Sequence, residues 1–480
     1  MILPEIANNK TSSELSNGGE TQPAHIWHRI TPGAILLISA FLNIYKLDQE
    51  GYSNLYYAAT VKSMIQTWHN FIFVSFDPGG FVSVDKPPVG FWIQAISAKI
   101  FGFSGLSILL PEAIAGVLSV ALLYYLVRRR FGLVAGLIAA LALAISPISV
   151  VTNRNNTIDS LLVLTLLLAS WTVSLAAERG RLRWLLLTAL LVGVGFNIKT
   201  LQAYLVVPAF GLVYLLGAPL SWRKRMLHLL LAALVLLVVS LSWVVAVDLT
   251  PAPQRPYVGS SQTNSELELA FGYNGLERLL GLNNGVQNAT SDPVSPSRLI
   301  LKPAGPGENG YASPFRLFNR QLGGQIGWLI PLAILGLVAA GWQERIRLPL
   351  NPRQQSLVMW GMWLATMYVF FSVASFFHQY YLSMLAPAIC ALVGIGLVSM
   401  WRDYRRGDGR KWLLPVALFF TAAVQVWMLA FYPAWAGWLA PIVFGFCAVV
   451  ASAQIVGILL PRWHINTGPF IAIGLLALLL

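Results

Sequence analysis

Charge is what this sequence has least of. Only 11% of its 480 residues are Asp, Glu, Lys or Arg, and 56% are hydrophobic, whereas soluble domains carry roughly 25% charged residues. This excludes an ordinary soluble protein and predicts an all-α polytopic membrane protein, because apolar segments cross a bilayer as helices. The net charge of +13 lies mainly in short clusters between apolar runs. We therefore expect no nucleic-acid partner.

Cysteine and several common catalytic motifs are also scarce or absent. The two Cys, Cys390 and Cys447, lie in apolar runs, which argues against a disulfide framework or a Cys-ligated metal site. The chain has no Gly-x4-Gly-Lys-Ser/Thr loop, no His-Glu-x-x-His and no Gly-x-Ser-x-Gly. Nucleotide hydrolysis of the soluble type and zinc proteolysis are therefore unsupported. No charged residue lies in the middle of an apolar run, which argues against a proton-coupled pump.

Apolar runs fill most of the chain, and about 17–25 residues are needed to cross a membrane. We predict thirteen spans, at residues 30–47, 107–127, 131–151, 160–177, 184–200, 202–219, 227–248, 323–342, 356–377, 380–400, 412–432, 437–460 and 468–480. The last run is still apolar at Leu480, so we expect either a truncated form or a chain that ends in its final span. Residues 1–29 are polar and are predicted to be a disordered cytoplasmic tail. Residues 30–480 form the predicted membrane domain.

Lys and Arg cluster on one side of these predicted spans. Clusters follow the second, fourth, sixth, eighth and tenth runs, and Arg462 follows the twelfth. The opposite short connections hold only Arg154 and Lys199. Because cytoplasmic loops are enriched in Lys and Arg, we predict a multi-pass protein of the cell membrane with a cytoplasmic N-terminus. The long loops 48–106 and 249–322 are then extracytoplasmic.

The first long loop contains two amphipathic stretches. Apolar residues recur at three- and four-residue steps from Leu55 to Trp68 and again from Val89 to Ile100, which is typical of helices. Each stretch has about fourteen residues and is too short to span a bilayer, so we expect both to lie in the membrane interface. The second loop is rich in Pro, Gly, Asn and Ser. It is expected to be an irregular lid or an acceptor-binding segment.

Acidic side chains gather on this outer face. Asp48, Asp77 and Asp85 lie in the first loop, and Asp159 lies where the fourth run begins. Each of them alone is explained equally well as a solvated loop residue or a helix cap. Several carboxylates on one face indicate a site for proton transfer.

Three cations on the same face are candidates for binding a phosphate. Lys86 precedes Pro87 and Pro88, which favour an extended backbone at Lys86, and its ammonium would pair with a phosphate or with anionic lipid. Arg154 and Lys199 oppose the charge bias. Either a phosphate or a carboxylate partner such as Asp159 would explain them.

Aromatic residues and one His complete the candidates. Tyr56 and Tyr57 lie in the first loop, and His378 and Tyr381 join the ninth and tenth runs. Such side chains stack on sugars, donate hydrogen bonds or transfer protons, although an interfacial aromatic belt has the same composition. Asp48, Asp85 and His378 are residue types that bind divalent metals. No spacing among them requires a metal, and we expect no obligatory cofactor.

These residues together resemble a known family. An N-terminal span, a long outer loop ending in Asp85-Lys86-Pro87-Pro88 and an Asp at the fourth run are similar to the GT-C membrane glycosyltransferases. The resemblance is specifically to the branch that contains bacterial aminoarabinose transferases and protein O-mannosyltransferases. Asn54-Leu-Tyr-Tyr, Asp77-Pro78 and His378-x-Tyr-Tyr resemble a less characterised subgroup of that branch. The resemblance covers residues 30–400 and is most specific in the first loop.

The resemblance implies a GT-C fold and an inverting sugar transfer from a polyprenyl-phosphate-linked donor at the outer face. The acceptor hydroxyl would belong to a lipid, a cell-envelope glycan or a protein, and membrane lipids would surround the chain. The resemblance also implies that a first-loop carboxylate is the base, that Lys86 holds the donor phosphate and that Asp159 belongs to the site. Inversion would place acids on one wall of the cavity and cations on the other.

This sequence departs from the family at one place. The family has an acidic pair before the Tyr that opens the first-loop helix, whereas the matching segment here reads Ser53-Asn54-Leu55-Tyr56-Tyr57. Asp48, Asp77 and Asp85 are therefore alternative bases, and we favour Asp48 because it directly follows the first span.

We thus predict catalytic roles for Asp48, Asp85 and Asp159. The other predicted roles are phosphate binding by Lys86 and Arg154, and substrate binding by Tyr56, Tyr57, His378 and Tyr381. A transporter or flippase of lipid-linked saccharides is an alternative that should show paired repeats and interrupted helices, and we find neither in the sequence. A non-catalytic homologue is the second alternative, since the acidic pair is missing.

Overall fold

The structure is a computed structural model that describes residues 27–276, 309–407 and 409–460, together with Gly474 and Leu478. Most of the predicted N-terminal tail lies outside these residues. The described residues are mainly helical and include isolated β-bridges but no longer strand. The first eleven helices are α1 Trp27–Ile44, α2 Leu55–Met64, α3 Trp68–Phe73, α4 Pro88–Phe101, α5 Gly105–Phe131, α6 Leu133–Ala144, α7 Pro147–Asn153, α8 Asp159–Arg179, α9 Leu182–Lys199, α10 Val207–Gly217 and α11 Trp222–Leu249. The later long helices are Ile330–Trp342, Pro352–Val373, Ala386–Arg406, Leu413–Leu429 and Pro433–Leu459.

The predicted all-α membrane fold is confirmed, but the count of thirteen spans is not. Nine helical segments in the described part of the chain are long and apolar enough to cross a membrane, and the bent pair α6–α7, with an angle of 59°, makes a tenth. The predicted runs 184–200 and 202–219 lie in one continuous helical segment, Leu182–Gly217, because the 3-10 helix Thr200–Val206 joins α9 to α10 without a gap. The chain nevertheless reverses direction at this 3-10 helix, as described below. The Leu413–Leu429 helix has only 17 residues. Nearly all of 468–480 lies outside the described residues.

The chain reverses direction between α8 and α9, which pack against each other, so the start of α8 lies near the end of α9. It reverses again between α9 and α10. Gly180, which follows α8 and precedes α9, lies beside Leu220, which follows α10: a Cβ on Gly180 would be 3.1 Å from Leu220 Cγ. The 3-10 turn between α9 and α10 therefore lies at the opposite end of the bundle. Asp159 and Lys199 both lie at that end, which also carries the first loop and is called the loop end below.

The first loop is helical where the sequence predicts it, with one interruption. The predicted helix from Leu55 to Trp68 ends at Met64, and the Thr67 hydroxyl then accepts a hydrogen bond from Asn70 N at 3.1 Å, which caps α3. The second predicted helix is α4. Trp92 Nε1 of α4 donates to Phe71 O at 2.7 Å, so α4 holds α3 in place.

The two long loops are joined by their backbones. Ser83 N donates to Tyr257 O at 2.9 Å, and Tyr257 N donates to Phe81 O at 2.7 Å. Gly259 permits this approach, because a Cβ there would lie 2.2 Å from Ser83 O. The start of the second loop therefore lies against the segment that leads into Asp85.

The Ala386–Arg406 helix is the centre of the bundle, and nearly all of it is buried. Small residues allow its neighbours to approach closely. A Cβ on Gly396 would lie 2.2 Å from Gly336 Cα, and a Cβ on Gly394 would lie 2.3 Å from Ala135 O of α6. This packing fixes the scaffold on which the loop end is built.

Candidate active site

Lys86 is buried at the junction of the first loop and α4. Its neighbour Val84 donates from its backbone N to Val74 O at 3.0 Å, and α4 begins at Pro88. Lys86 Nζ lies 2.7 Å from Asp85 Oδ2 and 3.1 Å from Asp85 O. The Lys86 side chain is only 4% exposed. It therefore does not reach out to lipid head groups as an ordinary interfacial Lys would.

A second buried ion pair joins α8 to α9. Asp159 is the first residue of α8 and Lys199 the last of α9, and Lys199 Nζ donates to Asp159 Oδ2. The ammonium also lies 3.9 Å from the ring centroid of Tyr381 and 4.6 Å from that of Tyr380. Of the two explanations for Lys199 that the sequence leaves open, the carboxylate partner is present.

The Tyr57 side chain lies near the carboxylates of both ion pairs. Burial raises the pKa of the Tyr57 phenol well above its ordinary value of 10.0, and Tyr380, Asp85, Tyr381 and Asp159 raise it further. One phenol therefore lies within electrostatic range of both carboxylates. Asp85, Lys86, Asp159 and Lys199 are together called the two-pair cluster below. Each cation in the cluster is paired with an acid, so the predicted separation of acids and cations onto opposite walls is not found.

Gly90 allows α4 to approach the start of α8. A Cβ on Gly90 would lie 2.5 Å from Ile158 Cγ2, and Ile158 directly precedes Asp159. Any larger residue would push the helix that follows Lys86 away from Asp159. The spacing within the two-pair cluster thus depends on a glycine.

His378 and the two Tyr form an aromatic group at Lys199. The His378 ring stacks on Tyr380, with centroids 5.2 Å apart and planes inclined by 7°, and its centroid is 5.6 Å from that of Tyr381. Arg316 supports the preceding turn by donating to Ala374 O. The turn after the Pro352–Val373 helix therefore carries these rings to the cluster.

Comparison with known proteins identifies the family. YkcB and YycA of Bacillus subtilis, provisionally described as mannosyltransferases, are each 42% identical to this chain over 473 and 464 residues. The matches cover 83% of this chain in both cases, and 66% and 68% of the two relatives. A profile described as dolichyl-phosphate-mannose-protein mannosyltransferase matches residues 85–243. The chain belongs to the GT-C superfamily of membrane glycosyltransferases.

Solved structures support the same assignment at the level of the fold. ArnT from Cupriavidus metallidurans in its apo state has a TM-score of 0.55 and 18% identity, covering 94% of this chain and 74% of ArnT. ArnT bound to undecaprenyl phosphate has a TM-score of 0.53 and 19% identity, covering 94% of this chain and 75% of ArnT. The GT-C resemblance drawn from the first-loop motif is thereby confirmed.

Neither Asp48 nor Arg154 belongs to the two-pair cluster of this GT-C protein. Asp48 is exposed in the 3-10 turn Leu47–Glu50. Arg154 donates to Glu50 Oε1 from Nη2 and Nε at 2.7 and 2.9 Å, and to the carbonyl oxygens of Leu42 and Tyr45 at 3.0 and 2.8 Å. Arg154 thus has a carboxylate partner and ties the first loop to the end of α1.

The structure also shows where the remaining candidate residues from the sequence lie. Asp77 Oδ2 accepts hydrogen bonds from Phe81 N and Val82 N at 3.0 and 2.8 Å, so it closes a turn. Tyr56 is exposed and its ring lies 4.8 Å from that of Phe76. Within the described ranges no three His, Cys, Asp or Glu side chains are arranged to hold a metal ion. Asp48, Asp85 and His378 therefore do not form a metal site there.

Two buried acids near the loop end, Glu266 and Glu112, were not singled out from the sequence. Glu266 of the second loop has its pKa raised well above the ordinary 4.5, first by burial and then by Asp248 and Asp85, against an opposing effect of Arg255. Its segment reads Ser265-Glu-Leu-Glu268, a helix-start pattern that predicts local order. Glu112 lies two turns into α5 and is fully buried. The available signal was a single Glu near the start of the predicted run 107–127, since ionisable residues inside spans are rare.

Proposed function

We propose that this chain transfers a sugar from a polyprenyl-phosphate-linked donor to an acceptor hydroxyl at the extracytoplasmic face of the cell membrane, with inversion at the anomeric carbon. The observation that carries the proposal is the two-pair cluster, in which two buried ammonium groups meet two carboxylates beside aromatic rings. The undecaprenyl phosphate bound by ArnT supports the choice of donor. The descriptions of YkcB and of a Pseudomonas paraeruginosa arabinosyl transferase, 31% identical over 168 residues, support sugar transfer.

Lys86 and Lys199 are the proposed partners of the donor phosphate. Charge-assisted hydrogen bonds are strongest where water is excluded, and both side chains are buried. Asp159 and the Tyr380 and Tyr381 rings hold the Lys199 ammonium in place. Lys86 is paired with Asp85 in the absence of donor, so an arriving phosphate replaces the Asp85 carboxylate at Nζ.

Asp85 is the proposed base. The acceptor oxygen attacks the anomeric carbon, the bond from that carbon to the phosphate oxygen breaks, and the acceptor proton passes to Asp85. The polyprenyl phosphate leaves as a stable anion that Lys86 and Lys199 stabilise, so no acid is needed at the leaving group. Inversion requires base and phosphate on opposite faces of the sugar. The Asp85–Lys86 pair must therefore open on donor binding, which the long Lys side chain permits.

The distribution of cations supports the proposed orientation. At the end of the bundle opposite the loop end, Arg129 Nη2 lies 2.9 Å from Glu178 Oε2, and Arg353 Nε donates to Arg130 O at 3.1 Å. Arg129 and Arg130 follow the second predicted span, and Arg353 follows the eighth. Their position at one end favours a cytoplasmic location for that end. The loop end would then be extracytoplasmic.

A transfer assay tests the proposal. Purified protein in lipid nanodiscs is incubated with polyprenyl phosphates carrying a labelled hexose or pentose and with a membrane extract as the acceptor source. We expect transfer by the wild type, a roughly 10²–10⁴-fold loss in Asp85→Asn and less than a twofold change in Asp48→Asn. The reverse result would assign the base to Asp48. Absence of transfer from every donor would contradict the proposed activity.

A further inference from the structure

We infer that Glu112 is the positioning residue that sets the distance between Lys86 and Asp159. Glu112 takes no part in the proposed reaction, yet its carboxylate is fully buried in α5. Ionisable groups inside apolar spans are costly and usually serve a function. The inference rests on the proposed function, because it concerns how the donor-phosphate site is assembled.

One carboxylate joins α4, which begins just after the Asp85–Lys86 pair, to α8, which begins with Asp159. Glu112 Oε1 accepts a hydrogen bond from Gln94 Nε2 of α4 at 2.8 Å, and Glu112 Oε2 accepts one from Leu161 N of α8 at 3.3 Å. Gln94 lies on the helix that begins just after Lys86. Leu161 lies in the first turn of the helix that begins with Asp159. Glu112 therefore fixes these two helix starts relative to one another.

The same contacts extend to the helix that carries Tyr57. Gln94 Nε2 also donates to Asn156 O at 3.0 Å. Asn156 exchanges two hydrogen bonds with the Asn54 backbone, Asn54 N to Oδ1 and Nδ2 to Asn54 O, both at 2.9 Å. Asn54 caps α2 by accepting from Tyr57 N at 3.2 Å. One hydrogen-bond network thus joins α2, which carries Tyr57, α4, which follows Lys86, and α8, which begins with Asp159.

The network uses two acceptor oxygens at position 112, and an amide side chain has only one. Both Glu112 oxygens accept, and both partners, Gln94 Nε2 and Leu161 N, donate. Leu161 N is one of the amides at a helix start that lack an intrahelical partner, where negative charge is favourable. A Gln at 112 would turn its own NH2 toward one of these two donors and lose that hydrogen bond.

Loss of the Glu112 network would change the distance between Lys86 and Lys199. The donor phosphate is proposed to contact both ammonium groups, and Lys199 is held by Asp159 at the start of α8. A shift of α4 against α8 therefore moves one cation away from the phosphate. A misplacement of about 1 Å in such a site costs on the order of 10²-fold.

The experiment measures binding of undecaprenyl phosphate, without a sugar, to the full chain in nanodiscs. The variants are Glu112→Gln and Gln94→Met, singly and together. The matched control is Ser119→Ala, because Ser119 is also buried on α5 but its hydroxyl donates only within its own helix, to Ala115 O at 2.7 Å. We expect each single variant to weaken binding at least tenfold. The double variant should bind undecaprenyl phosphate no more weakly than either single variant, since the two substitutions break the same network.

The outcomes separate this inference from the proposed function. Glu112→Gln and Gln94→Met proteins that are less heat-stable but bind undecaprenyl phosphate as tightly as the wild type would overturn the positioning role. A wild type that does not bind undecaprenyl phosphate would instead contradict the proposed donor. If Glu112→Gln does not fold, Gln94→Met decides the question, because it leaves the carboxylate in place.

Discussion

Replacing Lys86 by Gln is expected to lower the rate of sugar transfer by roughly 10²–10³-fold, the usual effect of removing one group that stabilises a developing anion. The magnitude follows from burial: the Lys86 side chain is 4% exposed, so water does not take over the role of the ammonium. In free energy of activation this loss corresponds to about 3–4 kcal/mol. Lys199 remains in the variant and would account for the residual rate.

The same substitution has a separate effect on stability. It leaves the Asp85 carboxylate without its 2.7 Å partner, and breaking a buried ion pair costs about 3–5 kcal/mol. The double variant Lys86→Gln with Asp85→Asn replaces the pair by two neutral amides. It should recover most of the thermal stability but none of the transfer activity, which distinguishes the chemical role of Lys86 from its structural one.

The assay compares initial rates with a labelled polyprenyl-phosphate donor, after thermal unfolding has shown that each variant is folded. Lys62→Gln is the matched control, because Lys62 is an exposed Lys of the same loop whose ammonium lies 5.7 Å from the Phe103 ring centroid. Its rate should stay within twofold of the wild type. A folded Lys86→Gln protein with the wild-type rate would refute the assignment.

Three further predictions concern stability and the other candidate residues. Burial raises the pKa of Glu266 well above its ordinary 4.5, so Glu266 stays protonated in the folded protein at pH values where it ionises in the unfolded chain. The folded state therefore loses stability as the pH rises above 4.5. Glu266→Gln should raise the thermal midpoint at neutral pH and flatten the dependence of that midpoint on pH. Gly90→Ala should destabilise the folded protein by about 1–3 kcal/mol through overpacking against Ile158 and should weaken donor binding. The control Gly211→Ala should do neither, because the space around Gly211 is open. Equal thermal midpoints of the two variants would contradict the close approach of α4 to Ile158. Arg154→Gln should lower the free energy of unfolding by about 1–3 kcal/mol and leave the affinity for undecaprenyl phosphate unchanged. A tenfold loss of that affinity would show that Arg154 binds the phosphate.

The membrane fold was predictable because each span is a local, one-dimensional signal. The run 107–127 became α5, and the periodicity from Val89 to Ile100 became α4. The number of spans was not predictable in the same way, because the chain turns back within the continuous helical segment after Lys199 and a bend of 59° divides another predicted run. Such breaks depend on tertiary packing, which hydropathy does not report.

The site was predictable only in part. Lys86 was predictable because Pro87 and Pro88 favour an extended backbone at a cation on the outer face, and Lys199 because it opposes the charge bias. Glu112 was missed because its partners, Gln94 and Leu161, lie 18 and 49 residues away along the chain, so no local pattern links them. The preference for Asp48 rested on its position after the first span. The structure instead brings Asp85 to Lys86, and the base is therefore proposed there.

A structure of the protein with its sugar-linked polyprenyl phosphate bound would test the central claim most directly. The account predicts phosphate oxygens about 2.7–2.9 Å from both Lys86 Nζ and Lys199 Nζ, the Asp85–Lys86 pair open, and the Asp85 carboxylate on the face of the anomeric carbon opposite the phosphate. A phosphate bound instead in the cavity of about 320 Å³ beside Arg154 and Glu50, with both cluster ion pairs intact, would contradict it.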